Sequence, residues 1–238
     1  MSALNPLPAS RIERPRPEIN YPTTDGKPMA ETDPHIQLMV DLRHELKERF
    51  RSDTTVYVGA NLLLYYVEGD PRQRVAPDIF VARGVGAHER RVYKLWEEGR
   101  APDVVIEISS KSTCLDDVQR KWGLYQRLGV AEYFICDPEH EYLDEPLVGY
   151  RWQNGQYVEL EIIDGCVMSE ALGLELVYTN RTLRLRDPQT GQFLLTPAET
   201  EAALQTAEAA WQAETAARQT AEAEVARLRA ELARLTQP

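Results

Sequence analysis

Cysteine is scarce in this chain. Cys114, Cys136 and Cys166 are odd in number, far apart and without C-x-x-C spacing. Neither a disulfide framework nor a zinc site is expected from them. Reduced thiols are the simpler reading, and they point to a cytoplasmic setting. No apolar run approaches the roughly 18 residues that a bilayer span takes, so no membrane partner is expected. A Gly-x-Ser-x-Gly elbow is missing and there are only four histidines, which removes support for a serine or cysteine hydrolase. The phosphate-binding P-loop and the dinucleotide glycine pattern are missing too. Positive charge is also in deficit: the formal net charge is -11. That favours solubility and argues against indiscriminate attraction to phosphate backbones. It leaves room for a local basic groove, or for carboxylates that need a divalent cation before they tolerate a nucleic acid.

What is present suits a folded core with an appendage. The 238 residues are 43% hydrophobic and 27% charged, enough to bury a core without staples. Residues 1–28 carry six prolines and no apolar segment of the signal-peptide kind, so they read as an extended, partly disordered arm. Asp33-Pro34 then reads as a helix start, with Asp33 as cap, and Ile36, Met39, Val40, Leu42, Leu46 and Phe50 follow near helical spacing. Val56–Val67 reads as one long buried strand or as a pair broken near Gly59-Ala60-Asn61. Val75–Ala82 reads as a further strand, and a short helix is placed around Tyr93–Glu98. Asp103–Ser109 has the β-branched composition of a central strand. Asp117–Leu128 reads as a helix ended by Gly129, and Glu132–Cys136 as the next core strand. This strand–helix–strand order predicts a parallel pair. From 147 to 186 the signals are short and β-like, with Asn154-Gly155 as a hairpin turn. The fold class expected is α/β, a mixed sheet flanked by helices.

Residues 198–238 change character: Ala and Glu dominate and Gly is absent. A heptad frame places Leu204, Trp211, Arg218, Val225 and Leu232 at one seam position. Ala207, Glu214, Ala221, Leu228 and Leu235 take the other. The polar pair Glu214 and Arg218 weakens the middle of such a coiled coil. Two readings stay open: a helix through which copies of the chain form a homo-oligomer, or a solitary helix that frays.

The candidate chemistry lies at Asp78, Glu107 and Lys121. Strand alternation points Val104, Ile106 and Ile108 one way and Val105, Glu107 and Ser109 the other. A carboxylate inside an apolar strand is costly unless paired, hydrogen-bonded or bound to metal. Asp78 lies in a similar apolar context. Two such acids on neighbouring strands could hold Mg²⁺ through oxygen ligands. Against this stands the plainer reading, in which each acid pairs with a nearby Arg or Lys. Lys121 has two readings as well: a solvated i,i+4 partner of Asp117, or an ammonium turned back to the acids. Arg83, Arg90, Arg91, Lys94 and Arg100 cluster between the two acidic segments, either as a phosphate groove or as a solvated loop face.

The run Ala101-Pro102-Asp103-Val-Val-Ile-Glu107-Ile-Ser109-Ser-Lys111-Ser-Thr113, the spaced Asp117, Lys121 and Tyr125, and Gly129-Val130-x-Glu132-Tyr133-Phe-Ile-x-Asp137-Pro138 resemble the Uma-two family of the PD-(D/E)XK nuclease superfamily. Val75-Ala76-Pro77-Asp78 is similar to its first acidic motif, and His35 resembles a family histidine near the N-terminus. The likeness covers about residues 25–190. It implies a restriction-endonuclease-like core over 29–190, with Asp78 and Glu107 holding Mg²⁺ or Mn²⁺ for phosphodiester hydrolysis, DNA being the expected nucleic acid. The superfamily usually has a Lys two residues after the second acid, where this chain has Ser109. Lys121 is the substitute the resemblance suggests, and Lys111 a weaker one. The departure keeps an inactive nuclease-fold binding or assembly module open as the alternative.

Overall fold

A computed structural model of the chain describes residues 19–24, 26, 32–109, 116–141 and 143–235, with the side chains of 116–118 and 233 excepted. Most of the proposed arm, together with Lys111, Cys114 and the side chain of Asp117, lies outside that range.

Helix α1 spans Asp33–Arg49. Its cap is Thr32 rather than Asp33: the Thr32 hydroxyl accepts from the His35 N–H, so Pro34 falls one place further into the first turn. Both residues are good caps, and the hydroxyl reaching three residues on is what decides between them. The segment 56–67 resolves as a broken pair, β1 (Val56–Ala60) and β2 (Leu64–Tyr65). The expected strand over 75–82 is also interrupted, into β3 (Arg74–Val75) and β4 (Ile79–Arg83). Pro77 supplies no N–H to a ladder, and the Asn61 N–H instead takes the Pro77 and Asp78 carbonyls at 3.0 Å each. β5 (Tyr93–Lys94) leads into the single turn α2 (Leu95–Glu98), which Gly99 closes at φ 75°.

β6 (Val104–Ile108) follows, then a π-helical segment over Asp116–Lys121 that runs into α3 (Trp122–Leu128), closed by left-handed Gly129. β7 (Glu132–Cys136), β8 (Leu147–Gln153) and β9 (Gln156–Glu159) complete the main sheet. Asn154 and Gly155 both take positive φ in the β8–β9 turn, as a two-residue hairpin of this twist requires. β10 (Cys166–Ser169), β11 (Leu174–Thr179) and β12 (Thr182–Arg186) form a separate antiparallel sheet. β10 has no counterpart in the sequence reading; Cys-Val-Met-Ser is too short and mixed to signal a strand, and its pairing with β11 makes it one.

The six-stranded sheet has the order β1-β4-β6-β7-β8-β9. β6 and β7 are its parallel pair, joined by the π-helical crossover, and the other neighbours are antiparallel. The alternation on β6 sorts two cores. Val104, Ile106 and Ile108 pack with α1 and with the leucines of β10–β12. Val105 packs with Phe80, Leu124, Tyr125 and Tyr133 on the α3 side. Truncating a core leucine such as Leu42, fully buried from α1, costs about 2–5 kcal/mol by cavity formation. At Gly59 a Cβ would sit 2.2 Å from the Phe80 ring, so this β1 position needs a bare backbone. The small ladder β3-β2-β5 projects from the strand ends that carry Asn61 and Asp78.

Helix α4 (Pro197–Leu235) begins with a capping box. The Glu199 N–H donates to the Thr196 hydroxyl, and the Glu199 carboxylate accepts from the Thr196 N–H. Its first turn is fastened to the body: Arg184 donates to both Glu45 of α1 and Glu199, and His44 meets the Thr200 hydroxyl at 3.2 Å. Beyond this turn the helix is exposed almost throughout. No described helix is long and apolar enough to cross a membrane.

Candidate functional site

Asp78 sits immediately before β4, and β4 runs antiparallel to β6 with Ile79 opposite Ile106. That register sets Asp78 against Glu107. The contact is reciprocal: the Asp78 N–H donates to Glu107 Oε2 at 3.1 Å, and the Ile108 N–H donates to Asp78 Oδ2 at 2.8 Å. Each acid therefore leans on the backbone of the other's strand. Strand pairing places them, with little left to side-chain rotamers.

The crossover supplies the rest. Lys121 ends the π-helical segment, and its Nζ lies 3.0 Å from Glu107 Oε2. Tyr125, one turn on in α3, donates its hydroxyl to Glu107 Oε1 at 2.7 Å. The i,i+4 spacing puts both on one face, and the wide π turn falls where such turns often occur, beside a site. From the other core, His35 at the start of α1 brings Nε2 to 3.5 Å from Asp78 Oδ1. Ser109 is buried and its N–H donates to the Cys136 carbonyl.

Exposure separates the two acids. Glu107 is fully buried, whereas the Asp78 side chain keeps 19% of its surface. Asp78 is thus the acid open to an incoming group, and Glu107 lies beneath it. Burial pushes the Asp78 carboxyl up, but His35, Lys121 and the Ile108 N–H outweigh it and hold the group below its ordinary value. Burial, reinforced by the Glu107 charge, drives the Tyr125 phenol well above its ordinary range. Tyr125 accordingly keeps its proton and donates a hydrogen bond to the carboxylate.

The donor chemistry fits a hard divalent cation. Carboxylate oxygens are the ligands such ions take, and Mg²⁺ commonly uses one or two carboxylates with water and substrate phosphate rather than a full protein cage. Among the described residues no group of three or more His, Cys, Asp or Glu is arranged to hold a metal. A two-carboxylate site is consistent with that.

The structure brings together Asp78, Glu107, Lys121 and His35. The reading of Arg83, Arg90, Arg91, Lys94 and Arg100 as a groove loses most of its material. The Arg90 side chain is buried, paired with Glu98 and bonded to the Val85, Gly86 and His88 carbonyls. Arg83 donates to the Ala171 carbonyl, Lys94 pairs with Glu97 and Arg100 with Asp103. Tyr125 is the site residue whose contact the sequence reading did not anticipate. Its place four residues after Lys121 was the available signal.

A family model described as "Uma2: Putative restriction endonuclease" matches residues 8–185. Among solved structures, the chain is similar to a protein from Anabaena variabilis titled a putative nuclease belonging to DUF820, at 18% identity and a TM-score of 0.46, covering 63% of this chain and 81% of that one. No curated protein matches.

Proposed function

Since this chain belongs to the Uma2 family of putative restriction endonucleases, we propose that it is a divalent-metal-dependent endonuclease hydrolysing phosphodiester bonds, with DNA as substrate and Mg²⁺ or Mn²⁺ as the ion. The observation that carries this reading is the convergence of Asp78 and Glu107 from two strands, with the Lys121 ammonium on Glu107. Asp78 and Glu107 would hold the ion. When bound, it would lower the pKa of water and offset charge developing on the phosphate.

The chain's own groups have separate tasks. Lys121 and Tyr125 each engage one Glu107 oxygen and fix its orientation. The Ile108 N–H and His35 do the same for Asp78. Lys121 would take the part of the superfamily's strand lysine, its ammonium 3.0 Å from Glu107 supplying positive charge from the crossover instead of from position 109. With a net charge of -11, the protein repels a phosphate backbone until cations are present. Cleavage should therefore fall more steeply on chelation than the loss of one ligand pair alone would suggest.

The test is nicking of supercoiled DNA by purified protein with Mg²⁺ or Mn²⁺. Asp78→Ala and Glu107→Ala should each reduce it on the order of 10³-fold while leaving the fold intact. Failure to cleave any DNA or RNA with either ion would remove the reading. Ser109 favours the second reading, a nuclease-fold module that binds without cutting; it predicts DNA retention that Glu107→Ala leaves unaltered. The exposed seam of α4 supports self-association under either reading.

A further inference from the structure

We infer that two copies of this chain pair through α4 as an antiparallel, two-fold symmetric coil centred on Ala216, a geometry that rests on the self-association just described. Helix α4 is 39 residues long, about 58 Å at 1.5 Å per residue. Past its fastened first turn it carries large apolar side chains in solvent, with Leu204 at 58%, Trp211 at 67% and Leu232 at 64% exposure. A long helix of this kind gains its stability from packing one face, and in the single chain its large apolar side chains stay exposed.

The seam residues select the partner and its direction. In a parallel, in-register pair every seam residue meets its own copy. Arg218 would face Arg218, Glu214 would face Glu214, and two Trp211 indoles would compete for one layer. In an antiparallel pair one seam position packs against the other. Residues 197 and 235 bound α4, so its midpoint is Ala216. Glu214 and Arg218 lie two residues to either side of it. Turning a second copy end for end about Ala216 sets Arg218 against Glu214 of the second copy, twice by symmetry. The same operation sets Trp211 against Ala221, large against small. It also sets Leu228 against Leu204 and Val225 against Ala207.

The residues that weaken the coil when read as a generic heptad are thus self-complementary in this one arrangement. Arg229 also comes opposite Glu201 of the second copy on the flank. One conflict remains, Glu222 near Glu208 of the second copy, and Arg218, 2.8 Å from Glu222 within its own helix, tempers it. A buried polar contact that fixes register at some cost in stability is an established role for such residues. The bodies then stand at opposite ends of a common rod, and the two candidate sites are held apart.

The test uses the full-length protein. Light scattering should give twice the 27.1 kDa chain mass. Small-angle scattering should show two separated bodies, with a second maximum in the pair-distance distribution beyond the length of the rod. Arg218→Glu should weaken the dimer at least tenfold, and adding Glu214→Arg to it should restore the pair. Circular dichroism checks that the single variant keeps its helix, since the lost Arg218–Glu222 pair is worth only a few tenths of a kcal/mol. A 27.1 kDa species at every concentration overturns the inference. So does a dimer with its bodies side by side, or one indifferent to Arg218→Glu. Asp78→Ala should dimerise like the unaltered chain, so loss of cleavage and loss of pairing are read separately.

Discussion

At one end of the β6–β7 pair, Glu107 accepts from the backbone N–H of a second acid, Asp78, and has the Lys121 ammonium beside it. At the other end, Glu132 opens β7 equally buried, and the acid beside it, Glu170, has a side chain 70% exposed. The four donors to Glu132 are Arg151, the Ser169 hydroxyl and the Glu170 and Ala171 N–H groups, which tie β7 to β8 and to the loop after β10. Glu45 repeats that second pattern in α1, held by Arg184 and the Leu185 N–H. Burial of a carboxylate inside an apolar strand is therefore common to both ends and marks neither as functional. What distinguishes Glu107 is that its companion Asp78 is itself mostly buried and accepts in return from the Ile108 N–H of β6, whereas the Glu170 carboxylate stands in solvent on Arg151.

The sharpest way to break this contrast is to exchange its ends. Glu107→Ala should abolish metal-dependent cleavage and also lower stability, because the buried Lys121 ammonium and Tyr125 hydroxyl lose the Glu107 carboxylate. Glu132→Ala should cost about 3–5 kcal/mol of stability by removing the common acceptor of Arg151, the Ser169 hydroxyl and the Glu170 and Ala171 N–H groups, with turnover per folded molecule unchanged. Chemical denaturation beside a cleavage assay on both variants checks this, and a cleavage defect in folded Glu132→Ala would undo the distinction. Tyr125→Phe is a milder probe. Loss of one orienting hydroxyl should slow cleavage about 10–100-fold and lower apparent metal affinity, whereas Tyr157→Phe in the neighbouring aromatic cluster should do neither.

The smallest effect concerns Glu45. Burial pushes its carboxyl from 4.5 up to about 8, with Arg184 and the Leu185 N–H only partly offsetting it. The folded state thus keeps a proton that the unfolded state gives up. Glu45's contribution to stability is complete below about pH 4.5 and is lost as pH rises through about 8. Glu45→Gln should flatten the decline of melting temperature over that interval, and an unchanged slope would show that the group does not titrate there.

Much of this was legible in the residues, and the reasons are specific. β6 announced itself because period-two alternation and β-branching agree in Val-Val-Ile-Glu-Ile, so the facing of Glu107 followed from the backbone alone. The β8–β9 hairpin followed from Asn154-Gly155, where only positive φ fits. The capping box of α4 was also written in Thr196-Pro197-Ala198-Glu199. Other features depended on contacts distant in sequence. Glu132 looks like Glu107 until Arg151 is seen beside it, and Arg90 looks like a surface cation until it is found bonded to three carbonyls of its own loop. The roles of Tyr125 and His35 needed the crossover and α1 to arrive from opposite sides of the sheet.

The missing side chain at Gly59 has an effect beyond space for the Phe80 ring. A slip of β1 by one residue would bring Val58 or Ala60 under that ring and turn the strand's faces over; a slip of two would bring Tyr57 or Asn61 there. None of these fits, so the glycine acts as a pin that locks β1 in phase with β4. Asn61, two residues on, is thereby kept where its N–H grips the Asp78 carbonyl, and the placing of an acid is secured from an edge strand.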